Sequence, residues 1–231
     1  MKILIQSLLE GARKASGAVA VIDTVRAFTT AAVALANGAS RIIMVGTVEE
    51  ALALRAAERG AICMGEVRGQ APDSFNYGNS PFEIAAVDFG GKTIIQRTSA
   101  GTQGIVAASA QAGRLYAASL VTAEATVRAL LSRSPGEITI VAMGDNGTTR
   151  IDEDELTAIH LRNRLEGRPG DKQAVRRVIL AGGEVRRFYD PARLGQRPED
   201  VEIALDIDRY DFAIRVECKN GRPIARIERP A

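Results

Sequence analysis

Tryptophan is absent from this 231-residue chain, histidine occurs once, and cysteine twice. The single histidine, His160, stands between Ile159 and Leu161 in a helical pattern. A Ser-His-Asp triad, a phosphohistidine intermediate and a zinc cluster are therefore disfavoured, and a structural role is expected for it. Cys63 and Cys218 sit in apolar runs without a partner pattern, which points to two buried thiols in a reducing compartment. An excess of one charge is also missing. Thirty Lys and Arg against 28 Asp and Glu leave a net +2, too weak a field to gather nucleic acid or acidic membrane. The pairs Arg176-Arg177 and Arg186-Arg187 have no interleaved aromatics and read as a solvated face. No run approaches the roughly 18 apolar residues of a membrane span, and the segment from Met1 to Ile5 lacks a signal peptide's core. The expected location is the cytoplasm. There is no linker, repeat or low-complexity tract, so one domain over residues 1–231 is expected.

What is present is a soluble globular composition, 46% apolar and 25% charged, which excludes disorder, collagen and coiled coil. Folding a chain of this length buries roughly 70% or more of its unfolded surface, so neither metal nor disulfide is needed for stability. Short β-branched runs alternate with Ala-rich helical patterns, the signature of a mostly parallel sheet covered by helices. Strands are expected at residues 18–23, 41–45, 61–65, 92–96, 114–118 and 137–142, and helices at 28–37, 48–59, 103–112, 123–132 and 153–166. Thr47 reads as an N-cap, and Gly38, Gly60 and Gly113 as helix stops. Beyond residue 166 a turn and a charged helix to about residue 180 precede a further strand at 201–208. Asn220-Gly221, between apolar runs at 213–218 and 223–227, marks an antiparallel hairpin. The expected architecture is a three-layer α/β/α fold with a mostly parallel mixed sheet and that C-terminal hairpin. An apolar surface on the hairpin could serve a homodimer; the sequence permits this without requiring it.

Ligands of open α/β sheets bind outside the carboxyl ends of the strands. Four loops leave such ends: Asp23-Thr24-Val25-Arg26, Gly65-Glu66-Val67-Arg68, Arg97-Thr98-Ser99-Ala100-Gly101-Thr102 and Gly144-Asp145-Asn146-Gly147. The third runs straight into a helix, whose free N–H groups and dipole suit a phosphate or sulfonate. Arg26 and Arg97 could add bidentate contacts to oxyanions. Asp23, Glu66 and Asp152 are hard oxygen donors of the kind Mg²⁺ takes together with waters and substrate phosphate, and a water polarised there suits phosphoryl transfer. Each feature also has a plainer reading. A Gly-Thr loop before a helix caps it, Asp23 can cap the next turn and pair with Arg26, and Asp152-Glu153-Asp154-Glu155 forms an acidic first turn.

Other phosphate chemistries lack their residues. Gly90-Gly91-Lys92-Thr93 precedes a strand and has Ala86 where a P-loop needs its first glycine. Val25 stands two residues after Asp23, against a paired-aspartate phosphoenzyme. Cys63 lies inside a strand with no sheltering loop.

Taken together, the segments from Val21 to Thr30, Leu35-Ala36-Asn37-Gly38-Ala39, Gly65-Glu66, Gly78-Asn79-Ser80-Pro81-Phe82-Glu83, Arg97 to Thr102, and Gly144-Asp145-Asn146-Gly147 with Asp152-Glu153 resemble one family. It is the magnesium-dependent 2-phosphosulfolactate phosphatases of coenzyme M biosynthesis. The resemblance runs from about residue 18 to the 200–212 segment. It implies an α/β/α fold peculiar to that family and Mg²⁺-dependent hydrolysis of the phosphate ester of a small sulfonated or carboxylated acid. Asp23, Glu66 and Asp152 would hold or orient the metal, and Arg26 and Arg97 would clamp acid and phosphate. Thr98, Ser99, Gly101 and Thr102 would cradle oxyanions, and Asn79 and Ser80 would open a helix beginning at Pro81 beside the ligand. The chain departs from the family pattern at Val67, which precedes Arg68 where an Arg usually follows Gly-Glu. It departs again at Asn76 in place of Asp, at Ala100 in place of Asn, and at Asp152-Glu153, which reverses a Glu-Asp pair. Loss of a carboxylate at 76 would weaken Mg²⁺ binding if that residue were a ligand. Two other readings therefore stand beside the phosphatase: a non-catalytic anion-binding or regulatory homologue, and an enzyme for a different small phospho-acid.

Overall fold

The first element is a strand carrying the apolar run Ile3-Leu4-Ile5, β1 (Lys2–Ser7), followed by a short helix, α1 (Leu8–Lys14). The computed structural model describes residues 1–193 and 195–230. Next come β2 (Gly17–Ile22), α2 (Ala27–Ala36), β3 (Arg41–Met44), α3 (Val48–Ala57) and β4 (Ile62–Gly65). A long connection leads to β5 (Thr93–Arg97), α4 (Gly101–Ala108), β6 (Ala112–Ala118), α5 (Ala123–Leu131) and β7 (Glu137–Ala142). The C-terminal third holds α6 (Asp152–Leu165), α7 (Lys172–Ala181), a 3-10 segment (Glu184–Tyr189), α8 (Pro198–Ala204), β8 (Ala213–Lys219) and β9 (Arg222–Glu228).

Local chemistry sets several boundaries. Thr47 Oγ1 accepts the Glu50 N–H at 3.1 Å and starts α3, and Asp171 Oδ1 accepts the Ala174 N–H at 2.9 Å and starts α7. Asn220 and Gly221 both take positive φ, 52° and 75°, as the tight turn of the β8–β9 hairpin requires.

The strands form one sheet in the order β1-β7-β2-β6-β8-β9-β3-β5-β4. β1, β7, β2 and β6 are mutually parallel, and so are β3, β5 and β4. The hairpin lies between these groups, antiparallel to β6 on one side and to β3 on the other. Three successive reversals make the two groups run in opposite directions. A flat sheet would then send their carboxyl ends to opposite edges. Instead one apolar core takes Val19 and Val21 of β2, Ile42 and Met44 of β3 and Ile94 of β5 together with α2 and Ile105 of α4. Every residue of α2 from Ala27 to Leu35 is buried, as expected of a helix enclosed between both groups. The alternate strand residues face outward layers. Ala18, Ala20 and Ile22 meet α5 and α6, while Ile43, Cys63 and Ile95 meet α3. The fold is α/β with a mixed, mostly parallel sheet.

Four expectations need correction. Residues 201–208 are not a strand: Pro198 opens α8, with Glu199 and Asp200 in its first turn, and Val201, Ala204 and Leu205 pack on one side at helical spacing. Gly113 lies within β6, because α4 already ends at Ala108. Residues 81–86 form turns rather than a helix beginning at Pro81. Cys218 is exposed near the hairpin tip, whereas Cys63 is buried. The hairpin is also no free flank, since both of its outer strands pair within the chain. Among the described residues no helix is long and apolar enough to cross a membrane.

Candidate active site

Because the core draws the two parallel groups together, the loops after β2, β4, β5 and β7 meet around a cavity of about 200 Å³. Asp23, Glu66, Ser99 and Gly144 bring one wall residue from each loop. Asp23 lies just past β2, and its Oδ1 accepts the Ala27 N–H at 2.9 Å at the start of α2. The Gly101 backbone, opening α4, also hydrogen-bonds this carboxylate. Only glycine fits at 101, because a Cβ there would stand 2.8 Å from Asp23 Oδ2 and 2.9 Å from the Ala27 Cβ. Burial pushes the Asp23 pKa up to about 6, and the Glu66 charge adds to the rise, against backbone donors and the Arg187 charge.

Glu66 is held as firmly. Its Oε1 accepts the Ser99 N–H at 2.5 Å, and its Oε2 accepts the Gly69 N–H at 2.6 Å and the Ser99 hydroxyl at 3.1 Å. The β4 and β5 loops are thereby joined, and the Arg68 N–H donates to Ser99 Oγ at 2.8 Å.

The other residues singled out from the sequence divide between wall and scaffold. Ser99, Asn79 and Arg26 line the cavity, and Asn79 Oδ1 is buried without a hydrogen-bond partner among the described residues. Arg26 donates from Nη1 to Asp200 Oδ2 at 2.8 Å and to the Gly195 carbonyl at 2.5 Å. Arg97 is outside the wall. It donates to the Glu66 carbonyl at 2.7 Å and the Gly46 carbonyl at 3.3 Å, bracing the loop from behind. Thr98 and Thr102 hydrogen-bond each other: the Thr98 N–H reaches Thr102 Oγ1 at 2.8 Å and the Thr102 N–H reaches Thr98 Oγ1 at 3.0 Å. Ser80 donates to Asp200 Oδ1 at 2.6 Å. Asp152 is not brought to Asp23 and Glu66. Its Oδ1 accepts the Glu153 N–H at 3.0 Å, and its other oxygen lies where a Cβ on Gly182 would fall.

The acid that does face Asp23 is Asp154, two residues on. Buried at the start of α6, it accepts the Thr24 N–H at 2.8 Å and the Gly144 N–H at 3.0 Å, tying the β2 loop to the β7 loop. Burial pushes it up to about 7, and the Asp23 charge contributes. It lies behind the cavity wall as a brace. Its only sequence signal was the acidic run, which does not distinguish one carboxylate from the next. Arg68, Arg187 and Arg193 also line the cavity. Arg187 belongs to a pair read from sequence as a solvated face, because nothing local shows that the 3-10 segment folds back over the loops. His160 is buried in α6 away from the wall, and burial lowers its pKa.

The family model for 2-phosphosulpholactate phosphatase matches residues 3–217. The chain belongs to this family. A probable 2-phosphosulfolactate phosphatase of Thermotoga maritima is 40% identical over 146 residues, 63% of this chain and 61% of that protein. The chain thus spans under two thirds of that relative's length in the match. Proteins of the same description from Caldanaerobacter subterraneus and Bacillus subtilis are 30% and 29% identical, and each match covers 88% and 90%, respectively, of both chains. Within this 2-phosphosulpholactate phosphatase family member, the departures at positions 67, 76 and 100 fall at different depths. Ala100 lines the cavity. Asn76 does not: its Oδ1 accepts the Cys63 N–H at 2.9 Å, outside the wall, so the missing carboxylate subtracts nothing from the cavity. Val67 pairs through its backbone with Gln70, which turns the chain so that Arg68 reaches the wall.

Proposed function

We propose that this cavity hydrolyses the phosphate ester of a small sulfonated or carboxylated acid, converting 2-phosphosulfolactate to sulfolactate and phosphate with Mg²⁺. The observation that carries this reading is the pair Asp23 and Glu66 in one cavity that Arg26, Arg68, Arg187 and Arg193 also line. Mg²⁺ is bound through one or two carboxylates, waters and substrate oxygens, and a two-carboxylate site fits it. Among the described residues no three acidic, His or Cys side chains converge into a cage of their own. Burial raises the Asp23 pKa and the Glu66 charge adds to the rise, and a cation between the two carboxylates would relieve both.

Asp23 and Glu66 would hold the ion, each fixed from behind by backbone N–H groups so that its remaining lone pairs face the cavity. When bound, Mg²⁺ supplies positive charge to the phosphoryl oxygens and polarises the attacking water. Ser99 and Ala100, just before α4, would border the phosphate, and the exposed Arg68 adds a cation to the same lining. Catalysis would rest on positioning and preorganised charge. The same reading places the protein in the cytoplasm, without a membrane or nucleic-acid partner, and its product on the route to coenzyme M.

Phosphate release from 2-phosphosulfolactate, with Mg²⁺ and with chelator, tests this. Chelator-sensitive turnover is expected, and Asp23→Asn should lower kcat roughly 100-fold or more while the protein stays folded. A fully active Asp23→Asn, or turnover indifferent to chelator, would sink the assignment.

A further inference from the structure

The arginines that line or brace the cavity differ in how much of their hydrogen-bonding capacity is used. Arg26 places Nη1 on Asp200 at 2.8 Å and on the Gly195 carbonyl at 2.5 Å, and Arg97 donates to backbone carbonyls. Arg187 makes no such close contact. Its side chain is only 18% exposed, and its guanidinium lies over the Phe188 ring at 5.3 Å. Nη2 stands 3.6 Å from Glu153 Oε1 and Nη1 3.4 Å from Glu184 Oε2, at or past the outer limit for a hydrogen bond. Its buried Nε has no partner among the described residues.

A guanidinium presents five N–H donors in a rigid planar fork matched to oxyanions. Leaving such donors buried and unmet is costly, so native structures rarely keep them without a purpose. Arg187 lines the cavity on one side and the outer groove along Arg186 and Asp190 on the other. Asp23 and Glu66 line the same cavity, delivered by other loops. The cavity thus combines two carboxylates suited to a metal with a cation contributed by the 3-10 segment.

We propose that Arg187 binds the second acid group of the substrate, the sulfonate or carboxylate remote from the phosphate ester. It thereby sets the preference for acidic esters over plain ones. This rests on the phosphatase reading above. The Phe188 ring supports the guanidinium, and Glu184 takes only a long 3.4 Å bond from Nη1.

The test uses the full chain and three esters: 2-phosphosulfolactate, 2-phospholactate, which lacks the sulfonate, and isopropyl phosphate, which lacks both acids. Arg187→Met keeps the packing against Phe188 and removes the charge. For 2-phosphosulfolactate its KM should rise roughly 10- to 100-fold with kcat little changed, while turnover of isopropyl phosphate stays as in the wild type. A rise confined to 2-phosphosulfolactate identifies the sulfonate as the partner, and a rise shared with 2-phospholactate identifies the carboxylate. Arg187→Lys should recover part of the loss. Equal losses on all three esters, or a fall in kcat with KM unchanged, would overturn the proposal. If the wild type hydrolyses none of them, the phosphatase reading has failed separately. Calorimetric binding of sulfolactate then decides Arg187: loss in the Met variant supports it, and equal binding refutes it.

Discussion

Glu153 is fully buried, yet neither of its carboxyl oxygens receives a hydrogen bond among the described residues. Burial, then the Asp154 charge and the Asp152 side chain, push its pKa up to about 9, outweighing the pull of Arg187. The folded protein therefore keeps a proton that the unfolded chain releases from about pH 4.5 upward. Stability is fully present below that value and falls as pH rises toward about 9, by up to about 1.4 kcal/mol per pH unit from this group. Urea denaturation at several pH values across that window should show a shallower decline in Glu153→Gln, with the variant the more stable at the alkaline end. An unchanged slope would mean that Glu153 is ionised in the folded protein. Residue types at the site were largely legible in advance: Asp23, Glu66, Ser99 and Asn79 line the cavity. Their partners were not, because a hydrogen bond such as Ser99 N–H to Glu66 joins residues 33 apart in sequence.

Among the elements, α8 shows how a buried charge can organise a wall. Asp200 sits in its first turn, fully buried, and receives Arg26, the Ser80 hydroxyl and the Phe82 N–H. One carboxylate thus ties α8 to the start of α2 and to the turns after Asn79. Removing one partner of a buried pair leaves the other charge stranded. Asp200→Ala should cost roughly 3–5 kcal/mol, read by urea denaturation; a loss below about 1 kcal/mol, the range of exposed pairs, would show that the pair does not anchor the wall. The helix itself was readable: Val201, Ala204 and Leu205 repeat at helical spacing behind a proline. The run of β-branched and apolar residues around Val201 suggested a strand only while the acidic first turn was left out of account. Helix α2 was read within one residue at each end, since its Ala-rich run and Gly38 stop are local signals.

At the level of the whole molecule, the hairpin is the join. β8 and β9 link two parallel groups running in opposite directions, and every hydrogen bond across the middle of the sheet passes through them. A chain truncated after Asp211 would expose the inner edges of β6 and β3 and open the core around Ile214 and Ala225. It should lose its cooperative thermal transition and aggregate; a soluble, cooperatively melting truncation would show that the parallel groups hold together without the hairpin. The sequence by itself determined the α/β class, most strands and helices, the hairpin and the loops that carry the chemistry, because periodicity, caps and Asn-Gly turns act over a few residues. The tertiary structure alone decided where the hairpin inserts, and that insertion sets the two groups in opposite directions around α2. It also decided that Asp154 and not Asp152 faces Asp23, and that Arg187 and not Arg97 borders the cavity. Those outcomes depend on which face of a helix meets which loop across more than a hundred residues, and no local pattern carries that information.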